Sequence, residues 1–391
     1  MRHAVADSKL LLFVAAAAAT TRQSDSIHIA AAELKERVKD AYIVKLRGGV
    51  KSSSFLAESN LLTGSAQKMQ HTYDHGRFQG FAGKLTLDEV ERLRQDGRVE
   101  AVEPQKILYT AEQKGVPASW GLTRVSQRTL DLNEPYRYPK TAGEGIDVWV
   151  VDTGIQANHT DFGGRAVFAA NFIQDEEAAD LNGHGTHVAG TIASKTYGVA
   201  KKANVFGIKV LGGHGGGTTA DVIAGIQYLV KNARIGLSIV NMSLGGSRSD
   251  MLDAAVAVAV DAGLPFIVAA GNDRGDACNN SPAGAVNAFA VAATDDDDMQ
   301  AIFSSTGPCV RLYAPGVMIT SLWKGKNGAT MTISGTSMAA PHVAGIAALY
   351  LSTGTYDSVD ALYNALENAA TPNIVRGVTN GTPNKLAYNG N

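Results

Sequence analysis

Three residues of this chain have side chains that can act together as a nucleophile, a base and a carboxylate. Asp152 follows the apolar run 146–151, His184 lies in the small-residue segment 182–190, and Ser337 lies in the segment 333–345. A serine hydroxyl attacks a carbonyl carbon only if a base takes its proton. That base in turn needs a carboxylate that fixes its tautomer and stabilises the imidazolium. The sequence therefore indicates nucleophilic catalysis by serine.

The segment after Ser337 explains why this serine is the candidate nucleophile. Residues 338–351 are almost entirely apolar, which is typical of a buried helix. Pro341 is compatible with such a helix in its first turn, so we expect Ser337 at the helix N-terminus. The unpaired N–H groups there favour an anion, and an oxyanion formed beside Ser337 would be stabilised. The alternative from this stretch alone is that Ser337 only caps the helix.

A parallel sheet would bring such residues together. The apolar runs 146–151, 205–211, 237–244 and 265–270 read as strands, and residues 219–230 and 254–262 read as helices between them. Continuous apolar strands that alternate with helices indicate a parallel sheet covered on both faces, whose sites lie at the carboxyl ends of the strands. Asp152, Ser243 and Asn272 each fall at or just after such an end.

The N-terminal part of the chain has a different character. Residues 27–112 are denser in charge and predict a strand at 40–46, an amphipathic helix at 84–94 and a strand at 99–104 that ends at Pro104. This pattern indicates a small α+β domain, followed by a polar linker at 109–118. Residues 1–20, with a basic head and an apolar run at 10–19, predict a signal peptide and secretion. A short buried helix is the alternative there.

The amino-acid composition indicates the class of protein and the partners to expect. The chain has 391 residues, 45% of them hydrophobic and 18% charged, and its net charge is −2. This balance is typical of a compact α/β protein, and it gives no reason to expect a nucleic acid or a membrane as a partner. We expect a monomer.

The segments around Asp152, His184 and Ser337 resemble the three catalytic signatures of the subtilisin-like serine proteases, most closely the proteinase K subgroup. Their order along the chain is that of subtilisin itself. The likeness covers 114–391. It implies an α/β fold of three layers, with a central, mainly parallel sheet flanked by helices and a small α+β propeptide domain in front. It also implies that Asp152 orients His184, that His184 is the general base and acid, and that Ser337 attacks the peptide bond and forms an acyl-enzyme.

The same resemblance implies the remaining site. Asn272 would donate to the oxyanion together with the backbone N–H of Ser337. Two edges would pair with an extended protein or peptide substrate, and small residues would line the pocket for the residue before the cut. The edges and the pocket comprise Ser243, Leu244, Gly245, Gly215, Gly217, Ala269, Gly271 and Asn280. The sequence shows no carboxylate in this pocket that would select Arg or Lys, so we expect a broad preference for apolar or aromatic residues.

Residues 27–112 resemble the subtilisin propeptide. The likeness implies an intramolecular chaperone and inhibitor that the enzyme removes by self-cleavage near Glu112 and Gln113. An ordinary accessory domain is the alternative.

The resemblance also bears on cysteines and metals. Relatives are disulfide-bonded in this region, which implies a bridge between Cys278 and Cys309, with two free thiols as the alternative. The chemistry requires no cofactor. Structural calcium is known in the subgroup, but Arg311 stands where those enzymes have an aspartate, and a guanidinium cannot ligate calcium. The acidic run 295–298 is interpreted as a solvated loop, with ion binding as the alternative. Structural calcium therefore stays open, and no residue is assigned as a metal ligand.

Two competing functions conflict with these residues. A catalytically silent, peptide-binding protein of the same fold conflicts with the complete triad and Asn272. An esterase of the α/β-hydrolase class conflicts with the chain order Asp, His, Ser.

Overall fold

The computed structural model describes residues 37–58, 62, 69–76, 78–109, 113–114 and 119–390. The predicted signal peptide at 1–20 lies outside these residues, as do the start of the predicted propeptide at 27–36 and Glu112 at the expected cut. Within the described ranges, no helix combines the length and the apolar character that a membrane span requires.

The helices are α1 (Ser52–Glu58), α2 (Leu87–Gln95), α3 (Trp120–Val125), α4 (His184–Ala193), α5 (Thr219–Asn232), α6 (Asp250–Asp261), α7 (Thr336–Thr353) and α8 (Val359–Ala369). The strands are β1 (Arg37–Leu46), β2 (Met69–His75), β3 (Phe78–Lys84), β4 (Val99–Tyr109), β5 (Gln113–Lys114), β6 (Asp147–Asp152), β7 (Ala166–Asn171), β8 (Asn204–Lys209), β9 (Gly216–Thr218), β10 (Ser238–Met242), β11 (Gly246–Ser247), β12 (Phe266–Ala269), β13 (Asn280–Ser281), β14 (Phe289–Thr294), β15 (Val310–Pro315), β16 (Ile319–Leu322), β17 (Thr330–Ser334), β18 (Thr371–Pro372) and β19 (Lys385–Leu386).

The N-terminal domain is an antiparallel sheet in the order β2-β3-β1-β4, with its own apolar core beneath α1 and α2. Helix α2 corresponds to the amphipathic helix predicted at 84–94. A capping box formed by Thr86 and Glu89 starts it at Leu87. The prediction that β4 ends at Pro104 was wrong, because the strand continues to Tyr109. Pro104 faces Tyr42 of β1, while β9 on the other side of β4 pairs only from Ile107 onwards. A proline is tolerated at such a half-paired position.

The C-terminal domain is a nine-stranded sheet in the order β18-β19-β15-β14-β12-β10-β6-β8-β7, parallel except for the pair β18-β19. Helices α4 and α7 pack in the core on one face, and α5 and α6 pack in the core on the other. Strands β6, β10, β12 and β14 are buried throughout, which explains their continuous apolar sequences. The predicted three-layer α/β fold is therefore confirmed.

Helix α7 is buried as predicted, but Pro341 does not lie in its first turn. It is the sixth residue of a helix that begins at Thr336, so the expectation about its position was wrong. A proline at that place leaves the carbonyl of Ser337, four residues earlier, without its helical N–H donor. The hydroxyl of Ser243 supplies the missing donor at 2.8 Å.

Cys278 and Cys309 form a disulfide with a Cα–Cα distance of 5.3 Å, which confirms the pairing implied by the family. The bridge closes a loop of 31 residues and joins a segment of the candidate pocket to the start of β15. In the chain-entropy model such a loop contributes about 3–4 kcal/mol of stability.

Candidate active site

Asp152 and His184 form a buried hydrogen-bonded pair. Asp152 is the last residue of β6 and His184 the first of α4, and both side chains are completely inaccessible to solvent. Nδ1 of His184 lies 2.8 Å from Oδ1 of Asp152, which also accepts the N–H of Thr153 at 2.7 Å. A carboxylate acceptor selects the tautomer with the proton on Nδ1, so Nε2 can accept a proton.

A glycine allows these two elements to approach each other. A Cβ on Gly185 would lie 2.0 Å from the carbonyl oxygen of Gly154, a distance that no side chain tolerates. The turn after Asp152 can therefore touch the first turn of α4 only because residue 185 has no side chain.

Ser337 is the second residue of α7, at the end of a buried helix as predicted. Its hydroxyl donates to the carbonyl of Ser243 at 2.9 Å, and the Ser243 hydroxyl donates to the carbonyl of Ser337 at 2.8 Å. The amide of Asn241 donates to the Ser243 hydroxyl at 2.9 Å. These hydrogen bonds connect the start of α7 to the carboxyl end of β10.

The carboxamide of Asn272 is held in one orientation. Its Oδ1 accepts the backbone N–H of Thr336 at 2.9 Å and the Thr336 hydroxyl at 2.8 Å. Because a backbone N–H can only donate, the atom facing it must be the oxygen, and Nδ2 is left as the donor toward the cavity beside Ser337. Sequence reasoning missed Thr336, although its place directly before Ser337 could have suggested it.

A cavity of about 250 Å³ opens beside Ser337 and Asn272. Its lining includes the predicted residues Leu244, Gly245, Ala269, Gly271 and Asn280, together with Gly246, Ser247, Ala270, Asp273, Ser281, Ala283 and Thr336. The lining also contains a carboxylate that the sequence did not assign to this pocket, that of Asp273. The sequence places Asp273 next to Asn272, but only the packing of its loop turns it to the pocket.

Asp273 is charged at neutral pH. Its Oδ1 accepts the hydroxyl of Ser305, the N–H of Gly275 at 3.2 Å and the amide of Asn280 at 3.5 Å. Partial burial acts to raise the pKa of this carboxyl, but the hydrogen bonds outweigh it and the pKa is lowered. The pocket therefore carries a negative charge among small residues.

The end of β4 lies between the two predicted substrate edges. Leu108 pairs with Gly217 and Tyr109 with Gly216 in an antiparallel ladder, next to Gly215 with its φ of 80°. On the other side, a Cβ on Gly246 would lie 2.7 Å from the Leu108 side chain. An extended segment of the N-terminal domain thus occupies the groove where an extended substrate would bind.

Polar contacts fix the N-terminal domain to the helices behind this groove. Asp221, which caps α5 with Thr218, accepts from Gln70 at 3.0 Å and lies 2.9 Å from Nε2 of His71. Glu103 accepts the N–H of Met251 at 3.1 Å, at the start of α6. A carboxylate at a helix N-terminus is favourable, so these contacts stabilise the docked domain.

His187 and His342 are buried structural residues. Nε2 of His187 lies 3.0 Å from the carbonyl of Ile319, and Nδ1 of His342 lies 2.8 Å from the carbonyl of Met338. Burial lowers the pKa of His187 to about 3 and that of His342 to about 4, so both imidazoles are neutral.

The position implied for calcium does not fit a cation. Nη1 of Arg311 pairs with Oε1 of Glu367 at 2.9 Å, and the guanidinium lies over the rings of Phe289 and Tyr363. A positive charge already fills this position. In the acidic run 295–298, Oδ1 of the buried Asp298 pairs with Nε of Arg124 at 2.7 Å. The four carboxylates of the run therefore do not converge on one point. Nowhere in the described part of the chain do three or more His, Cys, Asp or Glu side chains form a metal-binding group.

Comparisons with known proteins identify the family of this chain. The model of the subtilase family matches residues 143–389, and that of the peptidase inhibitor I9 family matches residues 41–111. The chain is 39% identical to a cuticle-degrading protease of Metarhizium anisopliae, over 99% of this chain and 100% of that protein. It is 41% identical to the subtilisin-like serine protease AsES of Sarocladium strictum, over 97% of each. The crystal structure of a cold-adapted subtilisin-like serine proteinase aligns with a TM-score of 0.66 and 46% identity, covering 69% of this chain and 97% of the other.

Proposed function

This chain belongs to the subtilase family of serine proteases, and on that premise we propose that it is a secreted endopeptidase made as a self-inhibited precursor. It is a subtilisin-like hydrolase of peptide bonds with an inhibitor propeptide, and protein substrates follow from that. The single observation that supports the precursor form is the ladder between β4 and β9, which fills the groove beside Ser337.

In the proposed mechanism Ser337 attacks the carbonyl carbon of the substrate while His184 takes its proton at Nε2. Attack requires the hydroxyl proton of Ser337 to turn away from the carbonyl of Ser243, where it now points. Asp152 stabilises the imidazolium through Nδ1. The oxyanion accepts from Nδ2 of Asn272 and the N–H of Ser337, at the positive end of α7.

Collapse of the tetrahedral intermediate passes the proton from His184 to the leaving amine and leaves Ser337 acylated. A water then repeats the sequence: His184 takes its proton, the oxygen attacks the acyl carbon, and Ser337 leaves with the proton returned by His184. No step needs a cofactor or a metal.

We propose a broad specificity with a preference for apolar or aromatic residues before the cut, because small, mostly apolar residues such as Ala269, Gly271 and Gly245 line the pocket. Extended substrates would pair with the strand edge at Gly215 to Gly217 and the segment Ser243 to Gly245. Residues 107–109 now pair with 216–218 at the first of these edges.

The proposed cut lies near Glu112 and Gln113. Strand β4 ends at Tyr109 on the β9 edge, and β5 (Gln113–Lys114) pairs with Ile333 and Ser334, just before the Ser337 segment. Both sides of the expected bond are therefore tied to the catalytic region. Secretion is supported by the signal-peptide pattern at 1–20 and by the disulfide, which oxidising compartments favour. We expect the mature enzyme, 114–391, to be a monomer.

The test compares the purified wild type with Ser337→Ala by N-terminal sequencing over time and by hydrolysis of a peptide anilide ending in Phe. We expect the wild type to trim to a start near residue 113 and to cleave the anilide, and Ser337→Ala to stay full length and inert. If both chains stay full length and inert while folded, the proposal fails in favour of a peptide-binding protein.

A further inference from the structure

Asp180 is a buried carboxylate that contacts the loops on which Asp152 and His184 lie. It lies in the loop before α4 and its residue surface is 7% exposed. Oδ1 accepts the hydroxyl of Thr153 at 2.9 Å and the N–H groups of Asn182 and Gly183 at 3.1 and 2.7 Å. Oδ2 accepts both the N–H of Thr186 at 2.9 Å and its hydroxyl at 2.6 Å.

These bonds join the two loops that carry the pair. The hydroxyl of Thr153, directly after Asp152, donates to Asp180 and accepts the N–H of Gly185 at 2.9 Å, directly after His184. Helix α4 has Gly183 at its N-cap, which has no side chain to satisfy the first N–H groups. Asp180 takes that role from three residues earlier, so one carboxylate caps α4 and holds the turn after β6.

We propose that Asp180 is a positioning residue of this protease, which sets the placement of Asp152 against His184 and adds negative charge next to the loops that carry them. This inference rests on the proposed function. Catalysis depends on a carboxylate and an imidazole held in one geometry, and a displacement of about 1 Å there costs about 100-fold in rate. A buried carboxylate that fixes both loops is the means of holding that geometry.

Replacing Asp180 by asparagine tests the hydrogen bonds and the charge of this side chain without changing how it packs. The side chain keeps its size, but an NH₂ group replaces one acceptor and faces a donor, either Thr186 N–H or the N–H groups of Asn182 and Gly183. The negative charge is also lost. Asp152, His187 and Lys209 also surround His184 or the turn beside it, and they stay unchanged.

The experiment measures kcat, KM and the pH dependence of kcat/KM for Asp180→Asn with a peptide anilide ending in Phe. Active sites are counted with a serine-directed covalent inhibitor, so that unfolded protein does not enter the rates. We expect kcat to fall about 10- to 100-fold with KM within about 2-fold of wild type. The acid limb of the profile should move to lower pH, because losing a negative charge disfavours the imidazolium.

Glu177→Gln is the matched control, because it removes one negative charge from an exposed side chain of the same loop. It should leave kcat, KM and the acid limb unchanged. The second variant, Thr153→Val, removes only the bridging hydroxyl and should lower kcat less. Asp180→Asn and Thr153→Val together should cost less than the product of the single effects, because they break one connection.

The same substitutions in the Ser337→Ala chain, followed by thermal unfolding, report stability alone. A lower unfolding temperature with unchanged kcat and acid limb per counted site would overturn the inference and leave Asp180 a structural residue. If Asp180→Asn does not mature to an active enzyme, the same measurements on Thr153→Val test the inference. An unchanged kcat and an unchanged pH profile of kcat/KM in Thr153→Val would then overturn it. An inert wild type would instead refute the proposed function.

Discussion

Ser243 and Ser337 are bonded to each other in both directions. The Ser337 hydroxyl donates to the Ser243 carbonyl at 2.9 Å, and the Ser243 hydroxyl donates to the Ser337 carbonyl at 2.8 Å. The second bond exists because Pro341 cannot supply the helical N–H that this carbonyl would otherwise accept. The proline in α7 thus has a partner 98 positions earlier in sequence, Ser243, which also begins a predicted substrate edge.

Removing the Ser243 hydroxyl should destabilise the fold, because the carbonyl of residue 337 depends on it for a donor. In the Ser337→Ala chain, Ser243→Ala leaves the carbonyl of residue 337 and the amide of Asn241 unsatisfied, so the free energy of unfolding should fall by about 1–3 kcal/mol in urea titrations. Pro341→Ala restores an N–H for that carbonyl, so the double variant should recover part of the loss. Strictly additive effects would show that the two residues are not coupled.

Thr336→Val should weaken catalysis without weakening binding. The valine can neither donate to Oδ1 of Asn272 nor accept from the N–H of Gly271, so only the backbone N–H of residue 336 still holds the carboxamide. We expect kcat to fall about 10-fold with KM unchanged. This is less than the about 10²–10³ measured on subtilisin itself for loss of its oxyanion asparagine. Thr332→Val, a buried threonine bonded to Thr320 instead, is the matched control. Equal kcat values for the two variants would contradict the role of Thr336.

Asp273 should allow basic residues before the cut. Asp273→Asn removes a charge from the lining of the pocket, so kcat/KM for a Lys-ending anilide should fall about 3- to 10-fold while that for a Phe-ending one is unchanged. Asp296→Asn removes the same charge from an exposed loop outside the pocket and should change neither. A ratio of Lys to Phe cleavage that is the same in all three proteins would exclude Asp273 from specificity.

Chelation should not affect stability, because Arg311 stands at the calcium position. We expect EDTA to leave the unfolding temperature unchanged, whereas Arg311→Met should lower it by about 2–4 °C, for a loss of about 1 kcal/mol. Lys202→Met breaks the solvent-exposed pair with Glu144 and should change the unfolding temperature by less than about 1 °C. A fall in the unfolding temperature with EDTA would contradict the prediction.

His187 and His342 should make the fold sensitive to acid. Their pKa values in the folded chain, about 3 and about 4, lie below the ordinary value of 6.5, so the unfolded chain binds more protons. Their stabilisation is complete above pH 6.5 and is lost as pH falls toward 4, by about 1.4 kcal/mol per pH unit for each histidine. Urea titrations of Ser337→Ala at pH 7, 6 and 5 measure this slope.

The slope should fall by about one histidine in His342→Gln and stay the same in His214→Gln, which changes an exposed side chain and keeps both buried imidazoles. A slope in His342→Gln equal to that of the parent would show that another group carries the acid sensitivity.

The sequence by itself determined the order of elements and the identity of the candidate triad. Continuous apolar strands, the small-residue segments around His184 and Ser337, and the amphipathic helix in the N-terminal domain are local patterns, and local patterns reflect backbone preference and burial. The family likeness added the propeptide and the disulfide partner. Such signals failed at two prolines. Pro104 is tolerated because β4 is paired on one side only at that residue, and Pro341 because the distant Ser243 supplies the missing donor.

Only the tertiary structure decided what surrounds those residues. The packing of separate loops places Asp273 in the pocket, Thr336 against Asn272, Asp180 between Thr153 and Thr186, and Arg311 against Glu367. Each of these contacts depends on a direction and a distance across the fold, which residue type and spacing do not contain. A hydrogen bond forms only at about 3 Å, so the folded chain alone determines which polar groups meet.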